Sequence, residues 1–248
     1  MRSALFTLLA FLSLTTKGFA QELVIISDLD ETLKQAAVEN KVRAGIKLIE
    51  GVRPYLGMQI IFNELKAKHP GAKFYYLSNS YTFLYSGKEW TRKFGFPQGV
   101  VLQRSIKDQS DSFKPSKLKE IIKNHPNAKK WLLFGDNVEK DPKFYEELVS
   151  ESGLNNSEIY IRDARLIFPQ SPLSNYYQHE VQILDALRIS QGSAEVIRSL
   201  PFNELVPKFL LKTLRKRLVK ECKLPVDVCK EEARERVSEV RDLLQVQD

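Results

Sequence analysis

The chain has 248 residues, 43% of them hydrophobic and 28% charged, with a formal net charge of +7. That length suits one α/β domain with an appendage, and no internal repeat or low-complexity tract interrupts it. The basic excess is modest and carries no aromatic-interleaved basic repeats, so nothing in it indicates a nucleic-acid partner.

In chain order, Arg2 comes first, followed by an apolar stretch from Ala4 to Leu14, and Gly18-Phe19-Ala20 closes the segment with small residues at the −3 and −1 sites. The pattern predicts a secretory signal peptide over residues 1–20, too short to span a bilayer. The mature protein is then exported, periplasmic or extracellular. Loss of Arg2 and Lys17 with the peptide leaves a charge of about +5.

Leu23-Val24-Ile25-Ile26-Ser27 reads as a strand over 23–28, buried on both faces. Asp28-Leu29-Asp30-Glu31-Thr32 emerges where it ends. In open parallel sheets, ligands bind outside the carboxyl ends of the strands. Two carboxylates crowded there repel each other unless a cation lies between them. The stretch is either a metal-assisted nucleophile with a neighbouring acid/base or a solvated acidic turn; spacing alone does not say which acid would attack. A helical pattern follows near 55–68, then a strand over 73–78 that ends in Ser78-Asn79. Next come a helix near 87–94, a strand at about 99–103, and a helix over 114–124 that Lys114 opens. Trp131 to Gly135 is a fourth strand, followed by Asp136 and Asp141. A helix near 141–151 and a strand over 158–162 complete the alternation. Such alternation predicts an α/β three-layer sandwich with a central parallel sheet and helices on both faces. Asp141 before Pro142 also fits a helix N-cap.

Three strand ends thus carry Asp, Ser and Asp in that order, with a Lys between the last two. This set resembles the haloacid dehalogenase superfamily of phosphohydrolases: D-x-D-x-T at Asp28, Asp30 and Thr32, the strand serine Ser78, Lys114, and G-D-x-x-x-x-D at Gly135, Asp136 and Asp141. Around these motifs, Asp30-Glu31-Thr32-Leu33-Lys34, Gly57-Met58, Leu77-Ser78-Asn79-Ser80, Gly95-Phe96-Pro97 and Asp141-Pro142 with Tyr145 are similar to one family. It is the catalytic-domain family of the fungal actin-patch phosphatidate phosphatase, and the resemblance covers roughly residues 22–170. Glu31 and Tyr81 depart from it, where the family usually has Asp and Pro.

The resemblance implies roles. Asp28 is the nucleophile that forms an aspartyl-phosphate. Asp30 protonates the leaving oxygen and then deprotonates the hydrolytic water. Ser78, Asn79 and Lys114 bind the phosphoryl group, and Thr32 and Asp141 support the site. Mg²⁺ is the expected cofactor, held by Asp28, the main-chain carbonyl of Asp30, and Asp136; Asp141 binds its water shell or steadies Lys114. Forty residues (34–73) separate the first motif from the second, and thirty-four (80–113) separate the second from Lys114. Neither interval has room for the globular cap that many relatives carry, so a capless, open site is expected. The substrate is phosphatidate or another lipid phosphate. The alternatives are a phosphoprotein or small phosphate ester, or an inactive lipid-binding module, against which the intact Asp30 argues. None of the three histidines, His69, His125 and His179, falls in a motif, which disfavours histidine-dependent or zinc chemistry.

The phosphatase domain is placed at 21–170 and a helical C-terminal region at 171–248. Val206, Phe209, Leu210, Leu214 and Leu218 follow helical spacing, with six Lys or Arg between 208 and 220 on the other faces. That helix is either packed with a solvated basic face or a peripheral contact with anionic membrane. Cys222 and Cys229 would lie about 10 Å apart on a continuous helix. Pro225 between them breaks the helix, and Asp227 is a candidate N-cap. The expectation is an α-α hairpin stapled by a disulfide at its turn, with two buried thiols as the alternative.

Overall fold

The computed structural model describes residues 22–36, 52–108, 112–166, 171–201, 205–206, 208–222 and 225–245. The segment read as a signal peptide lies outside them. β1 (Leu23–Asp28) is buried along its whole length. It pairs in parallel with β2 (Lys73–Tyr81) on one side and with β4 (Lys130–Asp136) on the other. β3 (Val100–Arg104) flanks β2, while β5 (Ser157–Arg162) and then β6 (Asn175–Tyr177) lie beyond β4. The sheet order is β3-β2-β1-β4-β5-β6, and every pairing is parallel.

Residue alternation along these strands builds two cores. Ile25, Phe74, Tyr76, Leu132 and Phe134 face α1 (Leu56–Lys68), which contributes Met58, Ile61, Phe62 and Leu65. Val24, Ile26, Leu77, Leu133 and Ile159 face Leu118 and Ile121 of α3 (Phe113–Asn124) and Tyr145 and Leu148 of α4 (Asp141–Ser152). The short helix α2 (Gly87–Lys93) brings Trp90 to the first core. The expected α/β three-layer architecture is therefore present, with a central parallel sheet and helices on both faces.

The first core also takes residues of the C-terminal helices. α5 (Gln191–Arg198) contributes Ala194 and Ile197, and α6 (Lys208–Glu221) contributes Leu211 and Leu214. α7 (Val226–Gln245) adds Val240. A Cys222–Cys229 disulfide joins α6 to α7, with the Cα atoms 5.8 Å apart. The chain turns there as Pro225 predicts. Asp227 is not the cap, however: the Pro225 carbonyl accepts from the Cys229 N–H, so the helix is entered earlier and Asp227 sits in its first turn. The strand β6 has no counterpart in the sequence reading.

The strand order explains where function must lie. The chain runs from β1 outward to β3 and then returns to the other side of β1 for β4. This reversal opens a crevice between the carboxyl ends of β1 and β4. Asp28 ends β1, Ser78 lies in β2 one residue past Leu77, the partner of Asp28, and Asp136 ends β4.

Candidate active site

The loop after β1 curls tightly. Leu33 and Lys34 N–H groups both donate to the Leu29 carbonyl, and the Glu31 N–H donates to the Lys34 carbonyl. Glu31 takes φ 57° to allow it, an uncommon backbone state for a residue with a side chain. The Tyr55 hydroxyl donates to the Glu31 carboxylate at 3.3 Å. Behind Tyr55, the guanidinium of Arg162 lies 3.8 Å over its ring and pairs with Glu180, both fully buried. Gly57 makes room for this pair, since a Cβ there would stand 2.6 Å from the Glu180 Cγ.

Lys114 is 1% exposed and sits at the centre of the crevice. Its Nζ lies 2.7 Å from Asp28, 2.8 Å from Glu139 and 2.8 Å from Asp141. Burial would lower its pKa, but Asp141, Asp28 and Glu139 outweigh that and hold it well above the usual lysine range. The residue is a permanent cation aimed at the candidate nucleophile. Asp141 opens α4 but makes no cap hydrogen bond with its side chain; Lys140 holds the cap position. The capping reading of Asp141 therefore gives way to the ion pair with Lys114. Gly135 permits it: a Cβ at that position would meet the Asp141 Cβ at 2.7 Å.

Ligand oxygens of Asp28, Asp136 and Asp141 lie within 4.8 Å of one another, all buried. The Asp136 Oδ1 accepts from the Val138 and Glu139 N–H groups at 2.6 and 3.2 Å, and the Thr32 hydroxyl reaches its Oδ2 at 3.5 Å. The Asp141 Oδ2 is buried and makes no hydrogen bond of ordinary geometry. Burial pushes the Asp28 carboxyl well above its ordinary range; Lys114 opposes the rise, and Asp141, Asp136 and Glu139 add to it. Asp136 moves the same way, through burial and then Asp141. Burial also raises Asp141 against the pull of Lys114. Four carboxylates thus share one lysine, and two full charges are taken up if a divalent cation joins them. The donor set is all oxygen, which fits a hard cation such as Mg²⁺.

Asp30 stands apart from this cluster. Its Oδ1 pairs with the Lys34 Nζ at 2.7 Å. Its Oδ2 accepts from Ser78 at 2.8 Å, from Ser80 at 3.1 Å and from the Tyr85 hydroxyl at 3.3 Å. Burial alone would raise its pKa; the Lys34 charge and the serine hydroxyls overcome that and hold it below the ordinary range. An irregularity in the β2–β3 pairing between Ser78 and Tyr81 lies in the segment that presents both serines to Asp30. Asn79 lies beside them, but its side-chain amide donates to Glu139 at 2.7 Å.

All eight residues expected from the sequence therefore converge on one crevice, in two sets: Asp28, Lys114, Asp136 and Asp141 with Thr32, and Asp30 with Ser78. Asn79 bridges toward the first set through Glu139. Four residues near them had no assigned role: Lys34, Ser80, Tyr85 and Glu139. Lys34 and Ser80 lie inside the stretches that carry the resemblance, and Glu139 lies between Asp136 and Asp141; each had a positional signal. Tyr85 had none. Its ring lies 3.2 Å beneath the Lys34 Nζ, and both residues line a cleft of about 640 Å³ with Trp90, Arg92 and Lys93.

Comparison with known proteins agrees with this geometry. The family model of the phosphatidate phosphatase APP1 catalytic domain matches residues 23–163, more than half of the chain and the whole of the crevice. No curated protein and no solved structure gives a match. The chain belongs to the APP1 phosphatidate phosphatase catalytic-domain family.

Proposed function

We propose that this protein is an exported, Mg²⁺-dependent phosphomonoesterase that acts through an aspartyl-phosphate on Asp28, with phosphatidate or another lipid phosphate as its substrate. The observation that carries the chemistry is the buried triangle of Asp28, Asp136 and Asp141 around a lysine that alone cannot balance it. Family membership supports the lipid phosphate, and the signal-like pattern of residues 1–20 supports export.

Asp28, Asp136 and the Asp30 main-chain carbonyl would hold the metal, as expected from the sequence, and Asp141, whose carboxylate lies in the same cluster, would be a further donor. Bound magnesium would offset charge on the phosphoryl oxygens and on the aspartates. Lys114 orients the Asp28 carboxylate and adds a fixed positive charge beside the equatorial oxygens of the transferring group. One Asp28 oxygen attacks phosphorus in line with the departing ester oxygen, which takes a proton from Asp30. Water then attacks the phosphorus of the acyl phosphate, Asp30 accepts its proton, and Asp28 is released.

Asp30 rests as a carboxylate under Lys34, the form needed for the second step. The arriving phosphate readies it for the first. It draws the Ser78 hydroxyl away from Asp30 and places negative charge nearby; both changes raise the Asp30 pKa, so that Asp30 takes up a proton from solvent before the ester bond breaks and passes that proton to the leaving oxygen. Lys34 and Tyr85, which both contact Asp30, also line a cleft that would receive the leaving group.

The test is phosphate release by the mature protein from phosphatidate vesicles and from a panel of soluble phosphomonoesters, with Mg²⁺ or with excess EDTA. Phosphatidate should be cleaved only with the metal, and Asp28→Asn should lose at least about a thousandfold in rate. Turnover of soluble esters alone would move the substrate to that class. Full activity in EDTA would reject the metal.

A further inference from the structure

The segment that carries Ser78, Ser80 and Tyr85 to Asp30 continues into an exposed apolar rim. Phe83 is 64% exposed and Leu84 46% exposed, and Ile106 on the next loop is 64% exposed. The two loops are one surface. The Thr82 N–H donates to the Arg104 carbonyl at 3.0 Å, the Phe83 ring stacks on Tyr81 with centroids 5.4 Å apart, and the Arg104 guanidinium lies 5.7 Å over Tyr81. Large apolar side chains this open are normal singly; three on adjoining loops beside a catalytic crevice mark an interaction site.

We propose that this rim is the membrane-docking surface of the enzyme, and that Phe83, Leu84 and Ile106 enter the interfacial layer of an anionic bilayer beside the crevice. The inference rests on the lipid reading of the site. Charge selects the occupant. Residues 81–108 carry five basic side chains, including Lys88, Arg104 and Lys107, against two acidic ones, a net of +3. Of the two acids, Asp108 is turned back onto the Ser105 N–H and hydroxyl. An apolar tip on a segment with a basic excess matches an acyl layer under anionic headgroups.

The basic helix α6 offers a poorer fit. Leu211 and Leu214 on its apolar side are spent in the first core. Lys212, Arg215 and Lys216 are exposed around them, so among the side chains described on α6 charge remains for a membrane but no free apolar stripe. Its location in the crevice wall also favours the rim, since a docked Phe83 lies five residues from Ser78 and holds the crevice against the layer that contains the substrate.

The test compares the full mature protein with a Phe83→Ser, Leu84→Ser, Ile106→Ser variant. All three positions are on the surface, so the fold should be kept. Sedimentation uses vesicles of phosphatidylcholine with phosphatidylglycerol, which contain no substrate and so test docking apart from activity. The parent should bind and the variant should lose at least about tenfold in partition. A Lys88→Gln, Lys107→Gln variant should weaken binding to these vesicles and leave binding to pure phosphatidylcholine unchanged. Turnover is then measured on phosphatidate in vesicles and on a short-chain phosphatidate below its aggregation concentration. The apolar variant should fall about tenfold on vesicles and match the parent on the monomer. Three results overturn the proposal: a parent that does not sediment, a variant that sediments like the parent, or a parent dimer that the apolar substitutions disperse, which would assign the rim to a second copy of the chain. A parent that binds vesicles yet cleaves neither form of phosphatidate would leave docking standing and defeat the substrate reading instead.

Discussion

Lys34 is a buried cation held between the Asp30 carboxylate and the Tyr85 ring. Its Nζ is 2.7 Å from the Asp30 carboxylate and 3.2 Å from the Tyr85 ring centroid. Burial lowers its own pKa, and Asp30 is the main opposing influence. The pair sets when Asp30 ionises. Because the folded-state pKa of Asp30 is depressed, its contribution to stability is present above the unfolded pKa and lost as pH falls through the folded value. Lys34→Met removes the cation and leaves the desolvation, so the Asp30 pKa should rise. The acid limb of kcat against pH, which reports ionised Asp30, should move to higher pH. A profile that superposes on that of the parent would remove Lys34 from this role. A residue buried in this way is hard to foresee: one lysine in a chain with 38 Lys and Arg gives no sign that it will be enclosed.

At the level of elements, the strands that bear the site were legible because each is a short apolar run with a polar residue at its carboxyl end. Periodicity predicts 23–28, 73–78 and 131–135, and the structure gives Leu23–Asp28, Lys73–Tyr81 and Lys130–Asp136. β2 overruns its predicted end because Asn79, Ser80 and Tyr81 continue the strand without an apolar pattern. β6 was not legible: Asn175-Tyr176-Tyr177 is too short to show a period, and it is a strand because β5 pairs with it. The convergence of Arg162 and Glu180 is a tertiary fact with no local mark. The hairpin of α6 and α7, by contrast, was legible from Pro225 and two cysteines. Its Cys222–Cys229 bridge closes a short loop, and the chain-entropy account gives it about 2 kcal/mol. Reduction, or Cys222→Ser with Cys229→Ser, should lower the thermal midpoint while leaving the rate on a soluble ester unchanged at assay temperature. An unchanged midpoint would show that packing of Leu211, Leu214 and Val240 alone holds the hairpin.

For the molecule as a whole, the crevice is a charge imbalance held in place by two cores. Asp28, Asp136 and Asp141 all have raised folded-state pKa values, chiefly through burial. The sign is opposite to that of Asp30. Their favourable contribution is complete below the unfolded carboxylate pKa and is lost as pH rises through the folded values, because the metal-free protein then confines unbalanced charge. A divalent cation bound there would compete with protons for these same oxygens. The thermal stabilisation given by a fixed Mg²⁺ concentration should therefore grow as pH rises through the range in which these carboxylates ionise, and the growth should be lost in Asp136→Asn. A stabilisation that is flat across that range would separate metal binding from these carboxylates.

The central claim is covalent: the phosphoryl group passes through Asp28. It is tested most directly by acid-quenching turnover of a labelled aryl phosphate with Mg²⁺ and mapping the label on the protein. Such a leaving group departs without a proton, so Asp30→Asn should still form the intermediate but release it slowly. The account predicts an alkali-labile phosphate on the peptide that contains Asp28, scarce in the parent, abundant in Asp30→Asn and absent from Asp28→Asn. Turnover with no label on that peptide in the Asp30→Asn variant, or a label on any other residue, would contradict it.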